Sequence, residues 1–348
     1  MKGALFRAEI REQPRALERL LERSGDFARV ADAIAARAPE TIRLVGHGSS
    51  DNAASFGVYA FGLLPGWTAF RDSISLATYY DAQVDVSRSI VLALSQSGRT
   101  PDVLDYVERA RKRGAFTVAV TNEPDSELGR AADAVLPLEA GPERSVAATK
   151  TYTNQLAALA LLAGATTGRG DELRRALAQT AAMLDEAIAA LESTVPAIAV
   201  PFAFVGRMFV IGRGLEFATA REVALKLTET CRVAAEPLTA TDLAHGPIAA
   251  LDPLFPVWTI ASVDASLPAA LDAATRAREA GATILASGSA AAQIEGAAYV
   301  LPVQQAPNKV LAPILSVLPG QLFAAALADA KGLDPDSPHG LSKVTLAR

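Results

Sequence analysis

The chain has 348 residues, half of them apolar, and a formal net charge of −5. That length favours two domains of about 150 residues each, and the acidic balance leaves no basic surface for nucleic acid. The only cysteine, Cys231, excludes a disulfide framework and a thiolate metal site, and His47, His245 and His339 lack metal-ligand spacing, so a reducing cytoplasm with no metal and no cofactor is expected.

In chain order, the start MKGALFRAEIREQP is charged, lacks the apolar core of a signal peptide and reads as an amphipathic helix over 1–28. IRLVGHGSS at 42–50 is a strand followed by a small-residue turn with Gly46, Gly48, Ser49 and Ser50, without the spacing of a dinucleotide fingerprint. The apolar run VLAL then leads into SQSGRTP, where Thr100 suits an N-cap, Pro101 the first helical position and Gly114 the helix stop. A single cap does not need Ser95, Gln96, Ser97 and Thr100 together. At the carboxyl end of a strand, where helix N–H groups and the helix dipole converge, they suit a phosphate or carboxylate, with GHGSS as a second wall. Residues 166–195 follow as a connecting helix with Leu173, Leu177, Leu184, Ile188 and Leu191 on one stripe.

The second half repeats the first. Gly48 and Gly214 stand 166 residues apart, Gly114 and Gly281 167, and Pro137 and Pro302 165, each in a similar local sequence. Short β-branched runs alternate with helical stretches in both halves, which predicts an α/β fold of two tandem doubly wound parallel sheets, flavodoxin-like, over 29–165 and 196–330, with a tail over 331–348. The serine-rich turn is lost from the second half, which reads VWTIASVDASLPA there. LAALALLAGA and VPAIAVPFAFVG are too short or too broken to span a membrane, so no membrane partner is expected. In FATAREVALKLTETC, Glu222, Lys226 and Glu229 share one helix face, and spacing alone reads them as a surface ion-pair stripe of little energetic value. Spacing assigns no role to His245 or Lys343.

Taken in order, REQP, GSS, SQSG-x-T, AGPERSVAATKTYTNQ, REVALKLTE, AHGPIA and LSKVT resemble the tandem sugar-isomerase (SIS) family, in particular the isomerase half of glutamine–fructose-6-phosphate aminotransferases and the SIS-type glucosamine-6-phosphate deaminases. The resemblance implies a phosphosugar ligand held by Ser49, Ser50, Ser95, Gln96, Ser97, Thr100, Val146 and Ala148. It implies Glu229 as the base between C1 and C2, with Lys226 and Glu222 beside it, and Lys343 as the Schiff-base amine. It further implies His245 as the ring-opening group, supplied by the neighbouring subunit of a homodimer whose active site lies near the subunit interface. The chain departs from the family at Ala148, where serine is usual, at His339 and Gly340, where arginine and asparagine are usual, and at Arg99, where an acidic residue is common. These 348 residues begin Met1-Lys2, without the family's glutaminase and its cysteine nucleophile, which sets the expected reaction as deamination of glucosamine 6-phosphate to fructose 6-phosphate and ammonia. The alternatives are an aldose–ketose isomerase, a fructosamine-phosphate deglycase and, in another class, a non-catalytic sugar-phosphate sensor.

Overall fold

A computed structural model describes residues 2–343. In place of one helix over 1–28, the chain starts with α1 (Ala4–Arg11), α2 (Gln13–Glu22) and α3 (Ser24–Ala35). Pro14 accounts for the first break. It has no N–H to continue the ladder of α1, yet it suits the opening turn of a new helix.

Two compact units form. The N-terminal unit comprises Arg15–Glu143, Lys150–Ala178 and Lys343; the C-terminal unit comprises residues 2–14, Arg144–Thr149 and Gln179–Ser342. In the N-terminal unit the order is β1 (Thr41–Val45), α4 (Ser49–Leu63), β2 (Ala69–Arg71), α5 (Ile74–Thr78), β3 (Ser89–Leu94), α6 (Pro101–Lys112), β4 (Phe116–Thr121), α7 (Glu127–Ala131), β5 (Ala134–Pro137) and α8 (Lys150–Ala165). Its parallel sheet runs β2-β1-β3-β4-β5. Every residue of β3 (SIVLAL) and β4 (FTVAVT) is buried, as the apolar runs require of strands covered on both faces.

The helix α9 (Gly170–Ala199) follows, with Leu173, Leu177, Leu184, Ile188 and Leu191 all buried. The C-terminal unit then builds β6 (Arg207–Gly212), α10 (Glu216–Cys231), β7 (Ala234–Thr239), β8 (Pro256–Ile260), α11 (Leu267–Glu279), β9 (Thr283–Gly288), β10 (Tyr299–Pro302), α12 (Ala312–Ser316) and α13 (Leu318–Ala330). Its sheet, β7-β6-β8-β9-β10, is also parallel and has the strand order of the first. Register repeats as well: Val45 pairs with Ala93 and Ile211 with Thr259, each partner displaced by 166 residues. The internal sequence repeat is therefore a repeat of architecture, two tandem doubly wound α/β sheets.

Among the described residues one stretch, Lys309–Ala330, distinct from LAALALLAGA and VPAIAVPFAFVG, is long and apolar enough to cross a membrane. Of its most apolar 18-residue window 89 % is buried within the protein, and the stretch is divided into a 3₁₀ turn, α12 and α13, the two helices each opening on a proline, Pro313 and Pro319. Gly320 brings α13 against α10 so closely that a Cβ there would stand 2.3 Å from Val223 Cγ2.

Candidate active site

In the N-terminal unit, β3 ends in a loop whose polar groups turn toward one another. Ser95 Oγ accepts from Gly98 N at 3.2 Å and lies 3.0 Å from Thr100 Oγ1; Ser97 Oγ accepts from Arg99 N at 3.3 Å. Gly98 holds this shape at φ +61°, and a Cβ on it would fall 1.9 Å from Ser126 Oγ, so only glycine fits. Thr100 has the extended backbone of an N-cap residue, but its side chain makes no capping bond to α6. That differs from the sequence expectation, and the reason is the Ser95 hydroxyl, which pairs with Thr100 Oγ1 and keeps it with the loop. Gln96 is fixed by its carbonyl, which accepts from Asn122 N at 3.1 Å.

The turn after β1 places Ser49 and Ser50 in the first turn of α4, and Ser50 Oγ accepts from Gln155 Nε2 of α8 at 2.9 Å. His47 Nε2 stands 2.6 Å from Asp102 Oδ2, tying this turn to the opening of α6. Sequence reasoning missed Gln155, His47 and Asp102 as supports of the loops. Their only signal was position: His47 sits inside GHGSS and Gln155 ends TKTYTNQ. Lys343, half-buried, donates to Glu143 Oε2 at 2.7 Å, and Glu143 is the acidic residue of AGPERSV, also unassigned from sequence.

In the C-terminal unit, Val146 and Ala148 are half-buried in the segment 144–149, whose Ser145 N–H donates to the carboxylate of Glu9 on α1. The charged face of α10 is no surface stripe. Glu222 and Lys226 are fully buried, because this face turns inward, and Lys226 Nζ lies 3.3 Å from Glu222 Oε1 and 2.7 Å from Glu229 Oε2. Burial alone would push the Lys226 ammonium down, but attraction to Glu222 and then Glu229 outweighs it and holds the group above the ordinary lysine value. Glu229 remains about a fifth exposed and lines a cavity of about 610 Å³ with Thr228, Arg232, Asp334 and His339. Arg232 ends α10 at φ +54°, a left-handed conformation that costs a non-glycine residue about 1 kcal/mol. His245 is not brought to that cavity; it is exposed on a 3₁₀ turn, Asp242–His245.

In the repeat an acidic residue stands where the first unit has Ser50. Glu216, 166 residues after Ser50, is buried in the first turn of α10 and accepts from Ser262 Oγ at 2.5 Å, Thr219 Oγ1 at 2.6 Å and Ser316 Oγ at 2.9 Å. Burial pushes its carboxyl above the usual range, and the three hydroxyls recover only part of that. Cys231 is buried too, and burial pushes its thiol up to about 11, which makes it a poor nucleophile. Among the described residues no group of three His, Cys, Asp or Glu side chains is placed to hold a metal ion.

Residues 36–165 and 202–328 match the family model of the SIS domain. Over 347 residues the chain is 35 % identical to the isomerizing glutamine–fructose-6-phosphate aminotransferase of Aeropyrum pernix, an alignment that covers 96 % of this chain and 56 % of the relative. The chain thus spans about half the length of the curated relatives it matches. Among solved structures, a candidate phosphosugar isomerase from Silicibacter pomeroyi superposes with a TM-score of 0.86 at 33 % identity, covering 96 % of this chain and 100 % of that one. A glucosamine-6-phosphate deaminase from Thermotoga maritima superposes at 0.74 with 19 % identity, covering 95 % and 99 %, a likeness of fold alone.

Proposed function

The chain belongs to the SIS domain family, and from that premise we propose that it is an isomerising aminosugar-phosphate deaminase that converts glucosamine 6-phosphate to fructose 6-phosphate and ammonia. The observation that carries the reading is the buried Glu222–Lys226–Glu229 cluster, with only Glu229 open to a cavity large enough for a hexose phosphate. A buried ammonium between two carboxylates is costly to maintain as a mere surface pair would not be, and it holds one carboxylate in a fixed place. Proton transfer α to a carbonyl needs such a base.

The steps follow from the substrate. The open sugar carries an aldehyde at C1 and an amine at C2. Glu229 removes the C2 proton to give an enolamine and returns it at C1, which leaves the imine of fructose 6-phosphate. Water adds to C2 and ammonia departs. Ser95, Ser97 and Thr100, with Ser49, Ser50, Gln96, Val146 and Ala148, hold the phosphate and the sugar hydroxyls. With the ketose product Lys343 condenses reversibly, its amine adding to the C2 carbonyl and water leaving, to form a Schiff base that water hydrolyses again to release fructose 6-phosphate. The exposed His245 opens the ring of a sugar bound to the second subunit of a homodimer. The similarity to the Aeropyrum aminotransferase over 96 % of the chain supports these assignments.

Purified protein given glucosamine 6-phosphate, with no glutamine present, releases ammonia and fructose 6-phosphate in equal amounts. If the amino sugar is untouched while an unaminated aldose phosphate is isomerised, the deaminase reading gives way to a plain aldose–ketose isomerase.

A further inference from the structure

The family motifs assign Lys343 but not the group it touches. Glu143 is completely buried, and both of its oxygens are engaged from the N-terminal turn of α8: Oε1 accepts from Thr151 N at 3.1 Å and Oε2 from Thr151 Oγ1 at 2.7 Å. A carboxylate is favoured at a helix N-terminus, so this one is fixed by the helix whether or not the lysine is present. Lys150 Nζ, also buried, donates to the carbonyl of Pro142 at 2.7 Å and fixes the backbone one residue before Glu143. Lys343 Nζ meets Glu143 Oε2 at 2.7 Å, 200 residues away in sequence.

We propose that Glu143 is the positioning residue for the Lys343 amine: a carboxylate locked to α8 that captures the lysine and sets its nitrogen in one place. This rests on the reading of Lys343 as the Schiff-base amine. A lysine amine rides on a flexible four-carbon stem and loses rotamer freedom when ordered, so a fixed partner determines how often its nitrogen stands within reach of a carbonyl. Glu143 acts through Lys343, and nothing in its placement requires it to touch the sugar.

The measurement is borohydride trapping of the protein with fructose 6-phosphate, with the modified lysine located by peptide mass spectrometry. Wild type is reduced onto Lys343. Glu143→Gln, compared per folded molecule, traps roughly a hundredfold more slowly, as a misplaced reacting group does. In the same variant kcat falls, KM changes little, and protection by inorganic phosphate against heat is retained. Glu143→Asp, which keeps the charge, recovers part of the trapping rate. Should the glutamine variant fail to fold, Thr151→Val, which withdraws one donor from Oε2, is assayed in the same way and shows the same slower trapping. Folded variants that trap at the wild-type rate, with only their melting temperature lowered, would reduce Glu143 to a cap of α8 and overturn the inference. Absence of trapping at Lys343 in wild type would instead overturn the Schiff-base reading on which the inference rests.

Discussion

Replacing Lys226 with methionine probes the cluster on α10 directly. The ammonium is completely buried between Glu222 at 3.3 Å and Glu229 at 2.7 Å, and Glu222 is itself fully buried. Methionine fills nearly the same volume but takes the Lys226 charge away from the buried Glu222 carboxylate. Breaking a buried ion pair from one side costs about 3–5 kcal/mol. For a unit of this size that lowers the unfolding midpoint by roughly 10 °C. Having lost the Lys226 ammonium, the buried Glu222 holds a proton more readily, so the native state of the variant binds more protons than the unfolded chain. Its loss of stability is therefore largest at neutral pH and shrinks as pH falls toward the ordinary glutamate range. Adding Glu222→Gln removes the buried charge and restores at least half of the loss. Thermal unfolding followed by circular dichroism at neutral and acidic pH, completed as a double-mutant cycle, gives all of these values. A loss of less than about 1 kcal/mol in the single variant, or simple additivity in the double one, would refute a buried, coupled triad.

Ser97→Ala and Thr100→Ala each remove a hydroxyl from the loop after β3; each should cost about 1.5–3 kcal/mol of binding, read as weaker protection by inorganic phosphate against heat, with little change in the unliganded melting temperature. Gly98→Ala forces a side chain into a left-handed position against Ser126 Oγ, which also caps α7 through Gly129 N. It should destabilise the protein by roughly 2 kcal/mol and abolish the phosphate protection, measured by the same melts. Burial raises the Glu216 carboxyl in the folded state, so its contribution to stability is complete below the unfolded glutamate value and is lost as pH rises through the folded one. Glu216→Gln should flatten that part of the stability-versus-pH curve, as chemical denaturation across pH would reveal.

The architecture was legible because strand runs, helix stops and glycine turns recur at a nearly constant offset, and the two sheets share one strand order. The serine loop was legible for a local reason: its residues are adjacent, and their chemistry exceeds what a cap requires. The α10 cluster was misread by spacing, since the interval from Glu222 to Lys226 is the same whether the face is wet or dry. Burial is decided by what packs on a helix, which the residues of that helix do not themselves record. Glu143 with Lys343 and Glu216 with Ser262 and Ser316 lie beyond local reading, because their partners are 200, 46 and 100 residues away. At the start of the chain the amphipathic pattern runs on past Pro14, and it is the missing N–H of that proline, not the pattern, that divides α1 from α2.

The central claim is that Glu229 moves a proton between C1 and C2 of a phosphosugar. Incubation with fructose 6-phosphate in deuterium oxide, followed by proton resonance and mass spectrometry, reads that step without any need for net conversion to product. Wild type incorporates deuterium at C1 of the recovered ketose, while Glu229→Gln, folded and still protected by phosphate, incorporates none above the uncatalysed rate. Exchange at the wild-type rate in the glutamine variant would contradict the account and leave Glu229 as no more than the exposed end of an ion pair.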